Sequence, residues 1–167
     1  MIEKWDGMTD FLIRPAVEAD TPAILALIRG LAEYERAPEK VLCDEPRLRA
    51  SLFGEKPDAE VLLACVEEQA VGLAVFFHNY STWWGRRGVY LEDLFVRPEM
   101  RGKGIGKALL KTLAKIARER DCARLEWAVL DWNQPAIDFY RSLGALPLDE
   151  WTTYRLNRAA IQQLAED

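Results

Sequence analysis

Ile24, Leu27, Ile28 and Leu31 recur at spacings of three and four within EADTPAILALIRGLAEYE, the period of a helix with one buried face. Asp20 or Thr21 is positioned to cap it, and Pro22 falls in the first turn, where a missing N–H is harmless. Gly30 weakens it modestly. FLIRP, just upstream, predicts a short strand ended by Pro15. A second short helix is expected over about 46–53, with Asp44 as its cap. The period then changes: AEVLLACVEE and AVGLAVFFHNY are β-rich runs separated by residues 67–69, which predicts a hairpin. STWWGRRG reads as a loop or broad turn, and VYLEDLFV as a strand stopped before Pro98. The clearest helix runs from Gly104 to about Arg120. Its apolar stripe is Ile105, Leu109, Leu113 and Ile116, and its solvated stripe Lys107, Lys111 and Lys115. RLEWAVL predicts a strand, and NQPAIDFYRSLGA a helix with Pro135 near its start and Gly144 as C-cap. LPLDEWTTYRLN suggests one or two closing strands, followed by a terminal helix. Neither a repeat nor a Pro/Gly-rich linker divides the series. The expectation is one α/β domain over residues 10–158, a mixed central sheet flanked by helices. Residues 1–9 are expected to be a polar N-terminal tail and 159–167 the end of the C-terminal helix.

Composition narrows the function classes. The 167 residues are half apolar, which argues against disorder, and carry a net charge of −5 from 22 basic and 27 acidic side chains. With no basic excess, nucleic-acid binding is not expected. No apolar run reaches signal-peptide or membrane-spanning character, so a soluble cytoplasmic protein without membrane association is the expectation. Cys43, Cys65 and Cys122 are scattered, and His78 is the one histidine. That inventory suits buried thiols in a reducing compartment and no metal site. His78 itself reads as a structural side chain in preference to a general base.

Chemistry concentrates in RGKGIGKALL, residues 101–110. The P-loop pattern fails twice, at Arg101 and Ala108, and the dinucleotide pattern fails at Lys107. What survives is a strand, a connection through Pro98, and Gly102, Gly104 and Gly106 leading into a long helix. Glycines let backbone N–H groups approach an anion closely, and the helix start adds unsatisfied amides and a favourable dipole. Arg101 and Lys103 supply charge. A pyrophosphate is the expected guest.

At this point VRPEMRGKGIGKALL resembles the acyl-coenzyme A signature of the Gcn5-related N-acetyltransferase (GNAT) family, with Arg101, Gly102, Gly104 and Gly106 at its defining positions and Lys103 and Ile105 between them. DWNQPAIDFYRSLGA resembles the family's later segment, with Asn133 and Tyr140 at recurrent cofactor-side positions. LAEYE, YSTWW, YLEDLFV and VLDWNQPAIDFY together resemble the diamine and thialysine acetyltransferase branch. YSTW and AVLDWNQ lean toward the thialysine members, and Thr82 stands where polyamine members tend to carry aspartate. The resemblance implies the GNAT fold, acetyl-CoA as cofactor without a metal, a small primary amine as acceptor, and a homodimer.

It also implies roles. Transfer from a thioester needs a neutral amine, a polarised carbonyl and a stabilised sulfur. A lysine-like amine has a pKa of about 10.4, so freeing its lone pair at neutral pH costs roughly 4.6 kcal/mol, and a nearby carboxylate is a reasonable collector of that proton. Glu92 and Asp93 interrupt an apolar strand, and simple alternation sends them to opposite faces. By resemblance Glu92 is the proton acceptor and Asp93 positions the substrate. Tyr140 is expected to hydrogen-bond the cofactor sulfur and protonate it as it leaves, although its helix also suits a core tyrosine. Main-chain groups of Leu94 and Val96 are implied for the pantetheine arm and the acetyl carbonyl, from a strand that splays away from the next. Asn133 suits both a helix cap and a cofactor contact. Trp83 and Trp84 are either loop anchors or walls for a methylene chain beside an ammonium. Tyr34 and Glu35 are candidates for that same pocket. The alternatives to a small-amine acetyltransferase are a GNAT acting on another amino acid, peptide or drug amine, and a non-catalytic acyl-CoA-binding module.

Overall fold

The computed structural model describes residues 10–166, so the N-terminal tail and the last residue lie outside the described residues. The chain groups into two compact units that meet between Ala128 and Val129. The first contains β1 (Leu12–Pro15), α1 (Thr21–Tyr34), α2 (Glu45–Phe53), β2 (Glu60–Val66), β3 (Gln69–Ser81), β4 (Arg86–Val96), α3 (Ile105–Glu119) and β5 (Leu125–Trp127). The strands lie in the order β1-β2-β3-β4-β5; the first three pairings are antiparallel and β4–β5 is parallel. This is the expected mixed sheet flanked by helices.

Period-two alternation decides which helix covers which face. Val61, Leu63 and Cys65 of β2, Leu73 and Val75 of β3 and Phe95 of β4 pack with Ile24 and Leu27 of α1 and Leu52 of α2. The other face buries Leu62, Ala74, Phe76, Val89 and Leu91, and α3 lies against it with Ile105, Leu109 and Leu113 inward. The apolar stripe of α3 is thus the buried one, as its spacing requires.

Local signals explain most element ends. Asp44 caps α2, its carboxylate accepting from the Arg47 amide at 2.9 Å. At α1 the cap differs from expectation: Asp20 is the N-cap residue, yet its carboxylate receives Arg14 at 2.7 and 2.8 Å and the Val17 amide at 2.8 Å. The ion pair with β1 outcompetes the helix amides. The expected loop STWWGRRG is shorter than its polarity implies. Only residues 82–85 turn, because pairing of β3 with β4 runs out to Ser81↔Arg86 and recruits Arg86, Arg87 and Gly88 into strand. RLEWAVL likewise contributes only three strand residues.

The second unit carries α4 (Gln134–Ser142) and α5 (Arg158–Glu166). Leu143, not the expected Gly144, is the C-cap of α4; Gly144 follows at φ 85° in the left-handed position that ends many helices, with the Ala145 amide bonded to the Tyr140 carbonyl at 3.2 Å. The closing strands expected in LPLDEWTTYRLN do not form: residues 145–157 contain no strand, and Leu146, Trp151 and Tyr154 are exposed. An alternating pattern becomes a strand only where a neighbouring edge supplies the ladder, and this segment has no such partner among the described residues.

Candidate active site

β4 ends one residue before a connection that climbs through a single 3₁₀ turn, Pro98–Met100, and reaches the glycines. Gly102 has φ 75° and Gly104 φ 79°, the left-handed region that side chains resist. No heavy atom lies within 4 Å of a Cβ built on either. Among the described residues, chain neighbours aside, nothing therefore packs against these positions. Their glycine character serves the backbone path and leaves the approach to the main chain open. Gly104 is the N-cap of α3 and has no side chain to cap it, and the first turn carries no acidic residue. The first intrahelical bond at this end runs from the Ala108 N–H to the Gly104 carbonyl at 2.9 Å. Ile105, Gly106 and Lys107 thus open the helix with amides suited to an anion. Lys103 lies half-buried beside them, its ammonium 3.6 Å from the Met100 sulfur. The residues fit a pyrophosphate.

A second feature belongs to β4. Its parallel pairing with β5 stops at Leu91↔Trp127, whereas its antiparallel pairing with β3 continues to Gly72↔Val96. From Glu92 onward no strand among the described residues pairs with that edge of β4. The Arg97 amide bonds to the Val71 carbonyl at 2.9 Å, on the β3 side. Alternation therefore turns the main-chain groups of Val96 and Leu94 to the free edge. An extended amide-bearing ligand can pair there. Arg101 already uses this edge, its Nε donating to the Val96 carbonyl at 3.1 Å. Arg97, not among the expected site residues, brings a buried Nε without a hydrogen-bond partner to the same connection.

The carboxylates sit at an irregularity that the sequence does not announce. Val75 faces Asp93 and Phe76 faces Leu91, so Glu92 is an extra residue, a β-bulge. Residues directly opposite share a face, which places Leu91 on the α3 side with Phe76 and Asp93 on the α1 side with Val75. Without the bulge Leu91 and Asp93 would share a face. Glu92 is left exposed and Asp93 half-buried. Burial, followed by the charges of Glu92 and then Glu35, raises the Asp93 carboxyl from its ordinary value near 3.8 to about 6. Glu35 takes part because it is the C-cap of α1. Negative charge from both β4 and α1 therefore bears on Asp93, an arrangement that calls for a cation.

Tyr34 lies beside Arg101, the guanidinium carbon 4.4 Å from its ring centroid. Trp83 and Trp84 are placed elsewhere. They occupy the β3–β4 turn, 90% and 69% exposed. From Ser81↔Arg86 to Val75↔Asp93 is six steps along β3, about 20 Å at roughly 3.3 Å per residue. The turn that carries these indoles thus lies six residue steps along the hairpin from Asp93. In the second unit, Asn133 caps α4 through the Ala136 amide at 3.4 Å and is 7% exposed; Tyr140 projects from the same helix, its ring 5.4 Å from that of Phe139. His78 has the structural surroundings expected of it: Nδ1 meets the Gly88 carbonyl at 2.9 Å and Nε2 meets Arg120 at 2.8 Å. Among the described residues no three His, Cys, Asp or Glu side chains gather as a metal site, and no helix is long and apolar enough to cross a membrane.

The chain is similar to known proteins over most of its length. The model of the acetyltransferase (GNAT) family matches residues 24–145. A thialysine N-epsilon-acetyltransferase of Sus scrofa is 44% identical over 95% of this chain and 99% of its own length. That of Caenorhabditis elegans is 34% identical over 96% of this chain and the whole of its own. Among solved structures, an integron cassette protein from the mobile metagenome of V. cholerae superposes with a TM-score of 0.81 at 28% identity, covering 96% of this chain and all of that one.

Proposed function

We propose, since this chain belongs to the acetyltransferase (GNAT) family and uses acetyl-CoA, that its acceptor is the side-chain amine of thialysine or a lysine-like amino acid, with short diamines next. The observation that carries the proposal is the carboxylate pair Glu92 and Asp93 on the strand that leads directly into the anion cradle, with Glu35 of the α1 end acting on Asp93. Glu35, Glu92 and Asp93 meet a substrate ammonium, and the amides of residues 102–106 with Arg101 and Lys103 meet the diphosphate. The similarity to thialysine acetyltransferases over nearly the full chain supports this acceptor.

When bound, acetyl-CoA supplies an activated acetyl group on sulfur. The protein's work is proton management and alignment. Exposed Glu92 takes the ammonium proton and passes it to water. Asp93, half-buried and with its pKa near neutrality, holds the cation so that its neutral form can be reached. Leu94 and Val96 present main-chain groups along the free β4 edge to align the pantetheine amides and polarise the carbonyl. Tyr140 donates its phenolic proton to the departing sulfur, and Asn133 supports the cofactor from the start of α4.

Two measurements test this scheme. A panel of thialysine, lysine, putrescine, spermidine and a lysine peptide, followed by CoA thiol release and by mass of the product, should give the highest kcat/KM with thialysine. Acetyl-CoA binding without product across the panel would move the chain to a binding module. Tyr140→Phe should lower kcat about 10- to 100-fold, within the range for removal of a general acid, and leave the Kd for CoA within about twofold. A loss confined to CoA affinity removes the proton-donor role.

A further inference from the structure

Tyr34 is the last residue of α1, and one of its neighbours belongs to the glycine turn. The guanidinium of Arg101 lies over its ring at 4.4 Å, and 5.8 Å from the ring centroid of Phe95. The same guanidinium is held from a second side by the bond from Nε to the Val96 carbonyl at 3.1 Å. A guanidinium stacked on an aromatic ring uses its flat face and keeps its in-plane N–H donors for other partners. Nε being committed to Val96, the two terminal NH2 groups keep four donors for an anion at the turn that begins with this residue.

The backbone explains how Tyr34 gets there. Gly30 lies one helical turn earlier on α1, and a Cβ built on it would sit 3.0 Å from the Phe95 ring. The missing side chain brings α1 down onto β4, so that residue 34 reaches the arginine beyond the strand's end. The next residue, Glu35, is among the charges acting on Asp93. The end of α1 thus meets the cradle with one residue and acts through its charge on Asp93 with the next.

We infer that Tyr34 is a positioning residue for the acyl-CoA and not a wall of the amine pocket: its ring fixes the guanidinium of Arg101 beside the glycine turn. The inference rests on the reading of Arg101 as a diphosphate ligand, and its test needs no acceptor amine. Calorimetric titration with CoA alone should show Tyr34→Leu binding about five- to tenfold more weakly, the range of a cation–π contact. Tyr34→Phe keeps the ring and restores affinity to within about twofold. Arg101→Lys keeps the charge but loses the flat face, and should weaken CoA to a similar extent even where Tyr34→Leu does not fold. On an Arg101→Ala background, Tyr34→Leu should add less than about twofold. Additive losses, or a Tyr34→Leu protein that binds CoA normally and loses only amine affinity, overturn the inference while leaving the proposed function intact. Wild-type CoA affinity in Arg101→Ala overturns both.

Discussion

Asp93→Asn lowers kcat/KM for the amine about 30- to 300-fold and makes the protein more stable. The loss is that expected when one partner of a half-buried charge pair is removed, about 2–3.5 kcal/mol, and it falls on the amine alone; the Kd for CoA stays within about twofold. The gain in stability follows from the same burial. In the folded protein the carboxyl titrates at about 6, above its ordinary value near 3.8, because burial and the neighbouring Glu92 and Glu35 disfavour the charge. A carboxyl with a raised folded pKa favours the fold most when it is neutral, below about pH 3.8, and that contribution is lost as pH rises through about 6. The span corresponds to roughly 3 kcal/mol as an upper bound, and asparagine removes the charge permanently. Melting temperatures at pH 7.5 should therefore be several degrees higher for the variant, at about 2–4 °C per kcal/mol for a chain of this size. The difference should narrow between pH 6 and 4 as the wild-type carboxyl takes its proton. Over the same interval the wild-type KM for the amine rises, because a neutral Asp93 no longer attracts an ammonium. Equal melting curves at pH 7.5 would falsify the strained-carboxylate account.

Why Asp93 carries this strain was hidden in the sequence. YLEDLFV shows two adjacent acids, and simple alternation puts them on opposite faces. It does not show that Glu92 is an extra residue in the ladder, since a bulge is a property of two strands in register and Val75 and Phe76 lie far away in the chain. The influence of Glu35 on Asp93, and the stack of Tyr34 on Arg101, depend likewise on where the end of α1 meets β4. The glycine turn was legible because its chemistry is local: a positive φ needs glycine wherever it occurs, and the helix that follows announces itself by Ile105, Leu109 and Leu113. Tertiary pairing defeated local reading in both directions. It drew polar Arg86 and Arg87 into β4, and its absence left LPLDEWTTYRLN without strands.

The turn yields the second large effect. Gly104→Val should raise the Kd for CoA at least about 100-fold. At φ 79° a β-branched residue is a conformational outlier, at a cost of order 1–3 kcal/mol, and the backbone escapes it by rotating the Gly104–Ile105 peptide. That peptide carries the first amide of α3, so relief of the strain turns donors away from the anion. The new methyls also enter space that no protein atom fills. General destabilisation would mimic weaker binding, so Gly85→Val provides the matched control. Gly85 sits at φ 61° in the β3–β4 turn, likewise with nothing within 4 Å of a Cβ, and the same strain arises there far along the hairpin from the cradle. Both variants should lose comparable melting temperature, but calorimetry should find CoA affinity within about threefold of wild type for Gly85→Val alone. Equal loss of CoA in the two would trace the effect to global strain and remove the glycine turn as the anion site. A separation of two orders of magnitude places the diphosphate on the amides that only glycine leaves uncovered.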